Sequence, residues 1–182
     1  MNIKGNKVTL RFIEPADLEA IREMSNDAEQ EYMIGGWSFP AAKKHQEDWY
    51  QRILTDKNNV RFAIEFEGAF VGLVTLTDID WKNRRAKSGI RLTLNAPKKQ
   101  GIATDALMSM LGYAFEELNI HRVYATIIEH NVISRKLHDK CGYKEEGLLR
   151  QSVYKRGKYH NELQLSILKH EYEELLLKAE KM

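Results

Sequence analysis

The chain is poor in the residues that would tie it to several function classes. It has one cysteine and three prolines in 182 residues. A lone thiol, Cys141, can form neither an intrachain disulfide nor a thiolate metal site, which excludes a disulfide-stapled fold and a zinc ribbon. Net charge is scarce as well. The 28 Lys and Arg stand against 26 Asp and Glu, a formal +2, too little to give a global field that would hold a nucleic-acid backbone. The densest basic run, Lys82-Asn83-Arg84-Arg85, reads as a solvated turn between two strands. No apolar stretch approaches the ~20 residues of a membrane span. Met1 opens onto polar residues, so neither a signal peptide nor a membrane partner is expected, and a reducing cytoplasm suits the chain. The histidines (His45, His121, His130, His138, His160 and His170) include no His-Glu-x-x-His spacing, and no metal is expected. Gly-x-Gly-x-x-Gly and Gly-Lys-Ser/Thr are both absent, which argues against a dinucleotide fold and a P-loop.

Hydrophobic residues make up 43% of the chain, enough for the core of one domain spanning residues 1–182. Pro15, Pro40 and Pro97 each mark an element boundary. Val8 to Ile13 reads as a strand, and Pro15 starts a helix carrying Leu18, Ile21 and Met24. Tyr32 to Phe39 reads as a loop, followed by a helix from Pro40 through Ile53. Arg61 to Phe66 and Phe70 to Asp78 form a hairpin about Glu67-Gly68-Ala69. A fourth strand, Ser88 to Leu94, alternates apolar and polar side chains from Ile90. Later come a strand at Val123, a helix after Asn131, a strand from Lys144, a hairpin at Arg156-Gly157, a strand to Leu168 and a last helix from Glu171. The order is a mixed α+β sheet flanked by helices.

The most informative run is Lys98-Lys99-Gln100-Gly101-Ile102-Ala103. The fourth strand precedes it, and a helical stripe follows: Ala103, Leu107, Met110, Leu111, Ala114, Phe115 and Leu118. The first amides of a helix lack intrahelical acceptors, and its dipole places positive charge there. A strand, a basic loop with one glycine and a helix N-terminus together make an anion cradle. Gly101 removes the side chain that would keep a phosphate off the backbone, and Thr104 adds a hydroxyl. A turn glycine is the plainer alternative.

A second segment, Asn131-Val132-Ile133-Ser134-Arg135-Lys136-Leu137-His138-Asp139-Lys140-Cys141-Gly142-Tyr143, begins with an N-cap and ends with a C-terminal cap. Together the two segments resemble the GCN5-related N-acetyltransferase (GNAT) superfamily. Its acetyl-CoA loop reads Gln/Arg-x-x-Gly-x-Gly/Ala, and its later helix reads Asn-x-x-Ala/Ser-x-x-x-Tyr-x-x-x-Gly-Phe. Leu10-Arg11, Pro15-Ala16-Asp17-Leu18, Trp37-Ser38-Phe39-Pro40, Gly147 and Gly157-Lys158-Tyr159 are similar to the branch of ribosomal-protein and spermidine N-acetyltransferases.

The resemblance implies an α+β fold with a mostly antiparallel sheet, acetyl-CoA as co-substrate, and acetyl transfer to a primary amine. A small polyamine-like acceptor is the leading expectation. A protein N-terminus and a non-catalytic acyl-CoA-binding module are the alternatives, and a homo-oligomer is compatible. By resemblance, backbone amides of Leu92, Thr93 and Leu94 would stabilise the oxyanion. The diphosphate would sit on amides from Lys99 to Thr104, that is Lys99, Gln100, Gly101, Ile102, Ala103 and Thr104, with Lys98 replacing the usual Gln or Arg. Asn131 would reach pantetheine, with Ser134 in the same motif, and Arg135 would meet the ribose phosphate. His138 takes the position of a tyrosine that protonates the departing sulfur, with a solvent-facing histidine as the alternative. A Glu common on the fourth strand is Lys87 here, so no base transfers. Asp78 and Asp80 are candidates for accepting a proton through water, or simply turn formers. Tyr32 and Trp37 are candidates for the acceptor pocket, and Glu29, Glu31, Glu47 and Asp48 would attract a polyamine.

Overall fold

The computed structural model describes residues 2–36 and 39–179. Eight strands form one sheet in the order β1-β2-β3-β4-β5-β6-β8-β7. They are β1 (Ile3–Lys4), β2 (Thr9–Arg11), β3 (Val60–Phe66), β4 (Ala69–Asp80), β5 (Arg85–Leu92), β6 (Arg122–Ile128), β7 (Lys144–Lys155) and β8 (Lys158–Leu168). The helices are α1 (Leu18–Asn26), α2 (Ala28–Tyr32), α3 (Lys43–Ile53), α4 (Ile102–Gly112), α5 (Val132–Lys140) and α6 (Lys169–Ala179). Each neighbouring strand pair is antiparallel except β5 with β6, which is parallel.

Turn chemistry sets the hairpins. Glu67 and Gly68 both take positive φ, 52° and 79°, as do Arg156 and Gly157, at 47° and 82°. Two successive positive φ values match the right-handed twist of the strands they join. On one face of the sheet α4 buries Ile102, Ala106, Leu107, Met110 and Leu111 against Val74, Leu76 and Val123. Each such side chain contributes roughly 1.5–3 kcal/mol on burial. Alternation along β3 sends Phe62 and Ile64 into that core and Ala63 to the opposite face, where it meets Ile13, Ile21 and Ile53.

Several boundaries differ from the sequence expectations. The five-residue α2 precedes the expected loop, held by an Asp27 cap that accepts from the Gln30 amide. The helix expected from Pro40 starts at Lys43. β5 stops at Leu92: the Thr93 amide still bonds in register to the Val71 carbonyl of β4 at 2.9 Å, and the Thr93 carbonyl then accepts from the Ala96 amide at 3.1 Å in a turn.

The feature that positions the site is a splay. β5 and β6 pair only where Arg85, Ala86 and Lys87 meet Arg122, Val123 and Tyr124. Past that point the two strands diverge.

Candidate active site

A cavity of about 530 Å³ opens in the splay, and its wall includes Ile90, Leu92, Ala103, Asn131, His138 and Glu162. Ser88 closes the narrow end. Its hydroxyl donates to the Tyr124 carbonyl at 3.3 Å and accepts from the Tyr143 hydroxyl at 2.8 Å. The side-chain chain takes over where the ladder stops, so the last carbonyl of the paired segment is satisfied. Tyr143 is buried, and loss of solvation pushes its phenol well above the usual range, which makes it a fixed strut.

Strand alternation decides which amides face the opening. The Thr93 amide bonds to β4, so the amides of Ile90 and Leu92 lie on the other side, toward the splay. Leu92 and Ile90, the latter not singled out from the sequence, both line the cavity. The Thr93 amide has its acceptor in the Val71 carbonyl, and Leu94 lies outside the cavity lining.

At the other end stands the anion cradle. Gly101 caps α4 at φ 79°, and Lys99 also takes a positive φ of 60°. Among the described residues, the amides from Lys98 to Thr104 meet no protein acceptor; the Asp105 amide is the first to bond back, to the Gly101 carbonyl at 3.0 Å. Lys98, Lys99 and Gln100 are exposed. Lys7 adds a cation that sequence reasoning missed. Its ammonium donates to the Gln100 carbonyl at 2.7 Å, while Asp105 accepts from the Asn6, Lys7 and Val8 amides. The aspartate thereby fixes Lys7 beside the loop, a link between positions almost a hundred residues apart. Ala103 continues from this loop into the cavity wall. Unpaired amides, a glycine and cations in one place fit a diphosphate.

α5 supplies the far wall. The Asn131 carbonyl oxygen accepts from the Ser134 amide at 3.0 Å, the expected cap, and its amide group donates to the Met33 carbonyl at 2.8 Å. Ser134 lines the cavity, whereas Arg135 does not; it pairs with Glu145 at 2.9 Å. His138 is only 3% exposed, so it is not a solvent-facing histidine. Its Nδ1 lies 2.8 Å from the Ser134 carbonyl. A carbonyl only accepts, so Nδ1 carries the proton and the neutral ring leaves Nε2 as an acceptor. Nε2 is buried with no hydrogen-bond partner among the described residues. Burial holds the imidazole below its usual pKa, which favours the neutral ring. Cys141 is buried too, its thiol pushed up to about 12 by lost solvation, and is inert as a nucleophile.

The sequence profile of the acetyltransferase (GNAT) domain matches residues 7–144. The chain belongs to the GNAT acetyltransferase family. It is 30% identical over 174 residues to a putative ribosomal N-acetyltransferase of Bacillus subtilis, covering 91% of this chain and 93% of that one. It is 28% identical over 170 residues to a spermidine N(1)-acetyltransferase of Escherichia coli K12, covering 92% and 89%. Its fold is similar to the crystal structure of spermidine N-acetyltransferase from Vibrio cholerae in complex with CoA and spermine. That likeness has a TM-score of 0.86 at 26% identity, over 91% of this chain and 98% of that one. As a member of this family the chain is an acetyl-CoA-dependent N-acetyltransferase.

Residues 33–36 form another side of the cavity, and Tyr32 precedes them. Tyr32 stacks on His130 with centroids 4.4 Å apart, and the Arg156 guanidinium lies 4.1 Å over its ring. Tyr32 is thus a fastener of the loop and does not line the cavity. Lys155, at the β7–β8 turn, is 4% exposed; it pairs with Glu31 and donates to the Gly36 carbonyl at 3.0 Å. Trp37 lies outside the described residues. Asp78 and Asp80 lie outside the cavity lining: Asp78 is exposed, and Asp80 accepts from Asn83 in the β4–β5 turn, which holds its carboxyl below the usual range. Glu29, Glu31 and Asp48 pair with Arg156, Lys155 and Lys44. Glu162, unmarked in the sequence reading, is the one acidic side chain on the cavity wall among the described residues.

Proposed function

We propose that this acetyltransferase moves the acetyl group of acetyl-CoA to a primary amine of a small polyamine-like acceptor. The observation that carries this reading is the likeness, over nine-tenths of the chain, to a spermidine N-acetyltransferase described in complex with CoA and spermine. In this reading the diphosphate rests on the amides from Lys99 to Thr104, with Lys7 and Lys98 adding charge. Pantetheine runs along the opened edge of β5 past Asn131 and Ser134. The amides of Ile90 and Leu92 face the developing oxyanion, which preorganised donors stabilise without further rearrangement. His138 passes a proton to the departing sulfur after Nε2 has received it. The single free thiol is buried, which suits a reducing cytoplasm as the working compartment.

A protein N-terminus is the second reading. It draws support from the relative of ribosomal type at 30% identity and from the pairing of Glu29, Glu31 and Asp48 with cations, which reduces their pull on a polycation. Initial rates of thiol release with acetyl-CoA and a panel of amines decide between them. Spermidine and related polyamines should outpace peptides with free N-termini. Release with peptides alone would select the second reading, and acetyl-CoA binding without release for any amine would leave a non-catalytic binding module.

A further inference from the structure

The family's common base position is occupied by Lys87, which lines the cavity and cannot act as a carboxylate. We propose that Glu162 is the carboxylate that receives the acceptor's ammonium group and takes its proton. This inference rests on the acetyl-transfer reading above.

Glu162 lies mid-strand in β8, opposite Ile128 of β6 and Leu149 of β7, and is 9% exposed. Its Oε2 accepts from the Ser152 hydroxyl at 2.9 Å. Its Oε1 accepts no hydrogen bond among the described residues and stands against Gly35, so close that a Cβ there would sit 2.6 Å away. Among the described residues no Lys, Arg or His forms an ion pair with it. A carboxylate buried with one hydroxyl partner and no cation is costly to keep. An incoming ammonium would supply the missing charge and the missing donor together. The other charged groups on the wall, Lys87 and Arg91, would repel that ammonium, so they direct it to the Glu162 side. Arg91 is held there by donation to the Met24 carbonyl and to Gln30 Oε1, the latter at 3.2 Å.

The amine enters as R–NH3+ and gives one proton to Glu162. The freed lone pair forms the C–N bond to the thioester carbonyl carbon, and the C–S bond breaks with its electron pair going to sulfur. A second nitrogen proton leaves through His138 Nε2 to the sulfur, giving the amide and the CoA thiol. Glu162 then returns its proton to solvent.

The test is Glu162→Gln, which keeps the size and can still accept from Ser152, beside Glu162→Asp. Steady-state rates with spermidine from about pH 7 to about pH 10 bracket the rise of free amine toward its own pKa near ~10.4. Near neutral pH, Glu162→Gln should lower kcat/KM about 100-fold, with acetyl-CoA affinity by calorimetry within about twofold. The deficit should shrink as pH rises and the amine deprotonates unaided, and Glu162→Asp should recover part of the rate. A Glu162→Gln enzyme of wild-type kcat/KM, or one equally impaired at every pH, would overturn the assignment while the wild type still turns over spermidine. A wild type that acetylates no amine would overturn the acetyl-transfer reading and this inference together.

Discussion

Replacing His138 with alanine probes the proton path and the energetics of its burial in one variant. The ring is 3% exposed, its Nδ1 is committed to the Ser134 carbonyl at 2.8 Å, and Nε2 has no partner among the described residues. Proton delivery by a positioned side chain contributes at least about 100-fold, or ~2.7 kcal/mol of barrier. His138→Ala should therefore lower kcat about 100-fold while acetyl-CoA affinity changes little. Stability supplies an independent readout. Burial lowers the His138 pKa in the folded chain, whereas the unfolded chain titrates near ~6.5. As pH falls below that unfolded value, the unfolded state takes up a proton that the folded state refuses. Folding free energy then drops by up to ~1.4 kcal/mol per pH unit until the folded pKa is reached; above ~6.5 this group adds no slope. Urea unfolding followed from neutral to mildly acid pH should show that acid slope in the wild type and a shallower one in His138→Ala. A variant with wild-type turnover at every pH would remove His138 from the mechanism, and an unchanged acid slope would refute its burial as a neutral ring.

Two other perturbations follow from the same geometry. Gly101→Glu puts a negative side chain into the anion cradle at a backbone φ of 79°, beside Lys7; acetyl-CoA should bind at least about tenfold more weakly in a chain that stays folded, and unchanged affinity by calorimetry would mean the diphosphate lies elsewhere. Lys155→Met leaves the Glu31 carboxylate and the Gly36 carbonyl without a buried ammonium, so unfolding free energy should fall by about 3 kcal/mol and acceptor KM should rise as the loop loosens; a loss below about 1 kcal/mol would show that the pair does not hold the loop.

The parts legible in sequence were those whose signal is local. The stripe from Ala103 to Leu111 announces α4 because one helix face packs on one sheet, and Asn131 and Gly142 bracket α5 because caps are chemical requirements of helix ends. The β3–β4 and β7–β8 hairpins were equally plain from Gly68 and Gly157. What escaped depends on distant partners. Glu162 alternates with apolar neighbours like any solvent-facing strand residue, yet Ser152 of β7 and Gly35 close on its carboxylate. Lys155 looks like a surface hairpin lysine, yet α2 closes around it. Lys7 joins the cradle only through Asp105. α2, with five residues, is too short to show a period. The opposite facing of the Leu92 and Thr93 amides depends on the register of β5 with β4, which local sequence does not carry.

The central claim is that acetyl-CoA supplies an acetyl group to a polyamine-like amine at this cavity. The most direct measurement offers the enzyme acetyl-CoA with spermidine and a peptide bearing a free N-terminus in equal amounts, and follows both products by mass spectrometry alongside thiol release. Spermidine should gain one acetyl group for each CoA thiol released while the peptide stays unmodified. Acetylation of the peptide in place of spermidine, or thiol release with neither product formed, would contradict it.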